Sequence, residues 1–356
     1  MPDSKSKKKS KPEPNDNVKA RSVSLKDVAA ELKLSPTSVS LVLNSSPTAD
    51  SIPQETQDRI FEAARRLNYR PNYIARSLRV QRTHTIGVLI PELSGGYSAT
   101  VLSGVEEELL ERDFFYFIGS HRHRPEFIER YTKFFMERCV EGILAIDTPQ
   151  NHQTFLPVVS ISGHDKIKGV TNIELNHKSA ALQIVEHLKN LGHKKLAVIK
   201  GQEFSSDTEV RYNSIVEAAK TFGINITNNL VGQLIGNDPS PETGYRAAKN
   251  LLATGEKFTA LLAFNDISAI GAIRALREAN LKVPEDISVS GFDDVDAAEF
   301  HNPSLTTIRQ PLFEMGRLAA KTLLDTLAES KNDKQSRTLT VEPKLIIRQS
   351  TASVKK

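Results

Sequence analysis

Apolar positions between residues 24 and 43 recur at helical spacing. Leu25, Val28, Ala29 and Leu32 form one stripe, the pattern breaks at Leu34-Ser35-Pro36, and Val39 and Val42 resume it. The spacing predicts two short helices in tandem. Ser24 with Asp27 three residues on forms a capping box for the first, and Ser35 before Pro36 sets a cap and an N1 proline on the second. A third helix is predicted from near Pro53, burying Ile60, Ala64 and Leu67. Three helices within about 50 residues, with a tight break between the first two, make a helix-turn-helix unit.

From His84 the texture changes to apolar segments of strand length alternating with amphipathic helices. Strands are predicted at 85–90, 114–119, 142–146, 158–161, 196–199, 260–263 and 287–290, with a last one over 342–349. Helices are predicted near 102–111, 179–191, 210–222, 243–252, 267–279 and 312–327. This alternation predicts parallel sheets covered on both faces, and about 270 residues exceed one compact core, so two doubly wound lobes are expected. In such folds ligands bind at the carboxyl ends of the strands, here in the crevice between lobes. Residues 1–21, rich in Lys, Ser, Pro and Asn with no apolar period, read as a disordered arm.

Composition narrows the class. The 356 residues are 39% hydrophobic and 25% charged, which excludes a mini-protein, a collagen and a wholly disordered chain. The longest apolar runs, at 86–91 and 261–264, are too short to span a membrane. The first residues, MPDSKSKKKSKPEPN, lack the apolar stretch of a secretory signal, so a cytoplasmic location is expected. A single cysteine, Cys139, removes a disulfide framework. Charge is unevenly placed: up to Arg82, 16 Lys and Arg stand against 9 Asp and Glu, whereas the rest has 31 against 34. A basic front end on a slightly acidic body points first to nucleic acid and second to an anionic membrane surface. For residues 5–11 alone a solubilising tail fits as well.

The stretch SLKDVAAELKLSPTSVSLVLN, followed by RIFEAARRLNYRPNYIARSLRVQRTHTIGVLIPEL, resembles the front end of the lactose/galactose repressor (LacI/GalR) family. The resemblance runs on through LKNLGHKKLAVIKG, AFNDISAIGAIRAL, VPEDISVSGFDD and PSLTTIRQP to near Thr351. It implies a helix-turn-helix domain joined by a hinge helix to a two-lobed, periplasmic-binding-protein-like core that senses a small molecule and dimerises. The expected division is an arm at 1–21, a DNA-binding domain at 22–70, a hinge helix and linker at 71–83, an effector-binding and dimerisation domain at 84–350, and a tail at 351–356. Within it, lobe 1 takes 84–175 and 311–337, and lobe 2 takes 176–308 and 338–350. The tail is too short for the leucine-heptad tetramerisation helix of some relatives, so a homodimer is expected.

At the DNA-reading end, Val39 and Val42 point inward and leave Thr37, Ser38 and Ser40 to the groove. The resemblance implies that Pro36, Thr37 and Leu41 read bases and that Ser38 and Ser40 touch phosphates; Ser35, Asn44, Tyr69, Asn72 and Ala75 join the candidate set. Leu41 stands where many members place arginine or histidine, which favours a thymine methyl over a guanine contact. Lys33 occupies a turn position often held by glycine and has to accept a left-handed backbone or a modified turn. Residues 72–80 form a short hinge-helix candidate in which Leu78 is the implied minor-groove wedge, flanked by Arg76 and Arg79. Without the preceding motif the same segment reads as an interdomain linker.

At the sensing end, the resemblance places Arg211 where the family grips effector oxygens. Asn265, Asp293 and Gln310 are further candidates, the first two at the ends of predicted strands. For Asp266 and Asp294 helix capping competes equally with ligand contact. Tyr97 is a cleft wall or a core filler, and Asp147 and Ser162, at the ends of the next strands, are candidate polar partners. The mixture fits a sugar or related small polar metabolite, with a purine-like or phosphorylated ligand left open. There is no GxSxG elbow, HExxH or P-loop, and His121 and His123 lack further ligands at metal spacing, so neither catalysis nor a cofactor or metal is expected. The rival classes are a solute-binding or sensing protein with a nonspecific DNA-binding front end, and an enzyme on a doubly wound lobe.

Overall fold

A computed structural model describes residues 23–44, 46–70, 77, 82–93, 96–149, 154–237, 240–329 and 337–355. The chain divides into two compact units between Arg82 and Thr83. In the first, α1 (Leu25–Leu32), α2 (Pro36–Leu43) and α3 (Gln54–Arg66) surround a core of Val28, Ala29, Val39, Val42, Ile60, Ala63 and Ala64. The box at Ser24 forms as the sequence predicts, with Asp27 N donating to Ser24 Oγ at 3.3 Å and Ser24 N to Asp27 Oδ2 at 2.7 Å. Leu67 is only half-buried at the edge of this core; α3 turns Ala63 inward with Ile60 and Ala64. Lys33 closes α1 in the left-handed region, φ 55° and ψ 37°.

The second unit holds two sheets. Its first lobe contains β1 (Thr85–Ile90), α4 (Gly96–Glu111), β2 (Phe115–Ser120), α5 (Pro125–Glu137), β3 (Gly142–Ile146), β4 (Val158–Ile161) and β5 (Val170–Leu175). The second contains α6 (His177–Asn190), β6 (Leu196–Lys200), α7 (Asp207–Phe222), β7 (Val231–Gln233), α8 (Pro241–Ala253), β8 (Ala260–Leu262), α9 (Asp266–Glu278), β9 (Ser288–Asp293), α10 (Asp296–Phe300) and β10 (Thr306–Arg309). The chain then returns through α11 (Leu312–Ala328) and β11 (Arg337–Val341), and crosses once more to β12 (Lys344–Ile346).

Strand order is β11-β5-β4-β3-β1-β2 in one sheet and β12-β10-β9-β8-β6-β7 in the other. All pairings are parallel except β12 on β10. Period-two alternation divides each strand between two helix layers: Ile86, Val88 and Ile90 face α4 and α11, while Leu89 meets Phe135 of α5. Gly87 leaves room for the Phe135 ring, since a Cβ there would lie 2.4 Å from it. In each sheet the order reverses beside the first strand, at β1/β3 and at β6/β8, so both lobes present a topological switch point.

Six of the described elements escape the hydrophobic pattern: β5, β7, β10, β11, α5 and α10. Two of these strands are only three or four residues long, and α5 buries just Ile128, Thr132 and Phe135 while Phe134 and Met136 stay exposed. Of the expected last strand over 342–349 only β12 forms, and β11 precedes it in the other sheet. Pro343 has no N–H to give a ladder, and the chain changes lobes there. β11 pairs with β5 in the first lobe, so the expected lobe boundary at 337/338 moves to residues 342–343.

Candidate functional site

In the first unit, Ser35 Oγ accepts from Ser38 N at 3.0 Å and lies 2.9 Å from Ser38 Oγ, so both serines help to hold the start of α2. Pro36 and Thr37 are exposed beside them. At the other end, Asn44 Nδ2 donates to Ser40 O at 2.7 Å and reaches Ser40 Oγ at 3.2 Å, which fixes both candidates. Leu41 and Tyr69 each pack one side on the core and keep the other open. Burial raises the Tyr69 hydroxyl pKa. The hinge candidates Asn72, Ala75, Arg76, Leu78 and Arg79 lie outside the described residues.

In the second unit, the strand ends of both lobes converge on one cleft. Tyr97, Asp147, Arg211, Asn265 and Asp293 all line it. Ser162 and Gln310 stand behind the wall: Ser162 Oγ is 2.7 Å from Tyr97 OH, and Gln310 Nε2 donates to Asp293 Oδ1 at 2.6 Å. Asp147, Ser162 and Asp293 have positive φ, the sharp turns that aim residues leaving a strand into the crevice. Asn265 also caps α9, accepting from Ser268 N at 2.9 Å. Asp266 and Asp294 are structural. Asp266 accepts from Thr307 Oγ1 at 2.5 Å and Val295 N at 2.9 Å, and Asp294 is clasped by Arg309 and Arg348 at 2.6 and 2.7 Å.

Arg211 is buried and already engaged. Its Nη2 meets Asp207 Oδ2 at 3.0 Å, its Nη1 donates to Phe264 O at 2.5 Å, and its guanidinium lies 4.4 and 3.7 Å from the ring centres of Phe264 and Phe292. The Nε has no partner. Asp147 accepts long bonds from two hydroxyls, 3.5 Å from Ser205 and 3.4 Å from Ser206. Burial, with the Asp207 charge adding to it, pushes its carboxyl up to about 7. Burial likewise pushes Asp293 up to about 7, against the pull of Arg211 and Gln310. Burial also raises Tyr97 well above the usual phenol range, so it stays a neutral donor.

Two segments of the chain match models of known families. Residues 24–72 match the model of bacterial regulatory proteins of the lacI family, and residues 185–351 match a periplasmic binding protein-like domain. The HTH-type transcriptional repressor PurR of Haemophilus influenzae is 31% identical over 340 residues, covering 93% of this chain and 99% of that protein. The chain belongs to the LacI family. The PurR repressor of Klebsiella pneumoniae is 30% identical, over 92% of this chain and 96% of that one. Among solved structures, the lac repressor dimer bound to operator and an anti-inducer superposes with a TM-score of 0.82 at 25% identity, over 93% of this chain and all of that one. A transcriptional regulator CelR–cellobiose complex gives 0.69 at 25%, over 92% and 99%.

This LacI-family chain is accordingly a DNA-binding transcriptional repressor with an effector-binding core, and its relatives are repressors rather than enzymes. Among the described residues no helix is long and apolar enough to cross a membrane. Several cleft residues have no signal in the sequence. His123 of the first lobe stacks on Phe204 of the second at 3.7 Å. Burial lowers the pKa of both His121 and His123 to about 4, and His121 is held by Thr148 at 2.9 Å. Asp207 gathers His164, His177 and Arg211, a cluster assembled from three separate segments.

Proposed function

We propose that the protein is a homodimeric operator-binding repressor whose effector is an uncharged, hydroxyl-rich small molecule of sugar type. The observation that carries the effector class is the state of Arg211. Among the described residues lining the cleft it is the only permanent cation, and Asp207, the Phe264 carbonyl and two rings already occupy it. An anionic ligand would meet Asp147 and Asp293 with no free cation to offset them. Hydroxyl donors satisfy the same carboxylates, and Tyr97, Phe204 and Phe264 supply flat apolar walls. The CelR–cellobiose complex agrees with that class.

In this reading Pro36, Thr37 and Leu41 meet base edges while Ser35, Ser38, Ser40, Asn44 and Tyr69 fix α2 and contact the backbone. Asn72, Ala75, Arg76 and Arg79 flank Leu78 as the minor-groove wedge. A homodimer is supported by the lac repressor dimer and by β2, an edge strand that leaves Phe115, Phe117 and Ile118 exposed. A ligand specific to the native state raises the unfolding midpoint by mass action, so a thermal-shift screen of neutral sugars, sugar phosphates and nucleobases tests the effector class. Neutral sugars are expected to stabilise the protein and to change its affinity for operator DNA in a gel shift. A larger shift from a sugar phosphate or a nucleobase would sink the class.

A further inference from the structure

His164 follows β4 in the first lobe, whereas His177 opens α6 and Asp207 opens α7 in the second. Far apart in sequence, they converge on one point. His164 Nε2 lies 2.6 Å and His177 Nε2 3.2 Å from the same oxygen, Asp207 Oδ1, and the three ligand atoms lie within 4.8 Å of one another. We infer that His164, His177 and Asp207 form a divalent transition-metal site that ties the two lobes together.

Two imidazole nitrogens and one carboxylate oxygen, with positions left for water, are a donor set that suits Zn²⁺ and its neighbours; Mg²⁺ and Ca²⁺ prefer all-oxygen cages. Bonds of about 2.0 Å at tetrahedral angles put ligand atoms ~3.3 Å apart. The His177–Asp207 separation already matches, and His164 has to withdraw by roughly 0.7 Å to admit an ion.

Two of the three ligands have a charged neighbour on the outward side, as metal ligands usually do, while His177 Nδ1 is buried without a hydrogen-bond partner. Glu174 Oε2 stands 3.6 Å from His164 Nδ1, behind the ring, and Arg211 Nη2 holds the other Asp207 oxygen at 3.0 Å. His177 and Asp207 are almost fully buried, while His164 borders a solvent-open pocket with Gly163, Ser205 and Ser206, which gives an ion a way in. His164 is the one ligand from the first lobe, so an ion would hold closed the cleft that Asp207 also lines. Reciprocity then requires metal and effector to tighten each other.

The test uses the full chain carrying Cys139→Ser, which removes the exposed thiol as a rival ligand, stripped with chelator and titrated with Co²⁺ and then Zn²⁺ against a chromophoric competitor. One equivalent per chain is expected, with the strong visible absorption of four-coordinate cobalt. His164→Ala and Asp207→Asn should each weaken Zn²⁺ at least 100-fold, and Glu174→Gln by roughly 10-fold. His164 is part-exposed, so its variant keeps the test valid if Asp207→Asn does not fold. Absence of a stoichiometric ion at micromolar Zn²⁺, or binding indifferent to His164→Ala, overturns the site. Operator binding without metal, measured alongside, tests the repressor reading separately.

Discussion

Asp207 and Arg211 lie one turn apart on α7 and form a buried ion pair at 3.0 Å. Burial alone would raise the Asp207 carboxyl, yet the charge of His177, the His164 hydrogen bond and Arg211 hold it well below the usual range. The cleft arginine is therefore set in place by the fold itself.

Arg211→Ala should abolish the effector response and leave operator binding of the free protein intact. It removes one partner of a buried pair and the filling between Phe264 and Phe292, a loss of about 3 kcal/mol given that two histidines remain on Asp207. Arg211→Lys should restore little, since an ammonium cannot span the carboxylate and the Phe264 carbonyl in one plane. Urea unfolding and calorimetry with ligand check both; a lysine variant with parental affinity would remove the positioning argument.

Asp147 and Asp293, pushed up to about 7, bind protons in the folded protein that the unfolded chain releases near pH 4. Stability then falls as pH rises from about 4 to about 7 through these groups. His121 and His123, lowered to about 4, act with the opposite sign below about 6.5, so the fall is read most cleanly from pH 6.5 to 8, where His164, raised against burial by Asp207 and Glu174, adds to it with the same sign. Across that range the thermal midpoint should fall. Asp293→Asn should flatten the profile and raise stability at pH 8 while weakening effector binding.

Hydroxyl donors need the ionised carboxylates, so effector affinity should drop below pH 7 and binding should release protons. Calorimetry at pH 6.5 in two buffers of different ionisation enthalpy measures that release. Proton uptake would mean that the ligand accepts hydrogen bonds from protonated Asp147 or Asp293.

Lys33 holds a left-handed conformation that glycine adopts at lower cost. Lys33→Gly should stabilise the first unit by about 1 kcal/mol, read as slower hydrogen exchange in α1 and α2 of the full chain. Faster exchange would show that the Lys33 side chain matters more than its backbone.

Ser35→Ala and Thr37→Ala separate capping from base reading. Losing the Ser35 cap should cost about 1 kcal/mol and weaken binding to every DNA sequence, whereas Thr37→Ala should leave stability unchanged and alter operator preference. Fluorescence anisotropy on a panel of operators distinguishes the two patterns; an unaltered preference for Thr37→Ala places base reading elsewhere on α2.

Signals that act within a few residues were legible in the chain. The Ser24 box, the cap at Ser35 and the inward pair Val39 and Val42 follow from local sterics and helical period, and all appear in the structure. Strand ends followed by polar residues likewise marked Asp147, Asn265 and Asp293, because a doubly wound sheet collects strand ends in one crevice, whereas Arg211 was marked by the family resemblance. Tertiary structure alone decided the rest. Whether Ser162 and Gln310 line the cleft or support it depends on which neighbour covers them, and the near-neutral carboxyls of Asp147 and Asp293 depend on burial that no local pattern encodes. The change of sheet at Pro343 depends on long-range pairing with β5 and β10. The His164–His177–Asp207 cluster arises because two lobes bring together residues that share no helical or strand period.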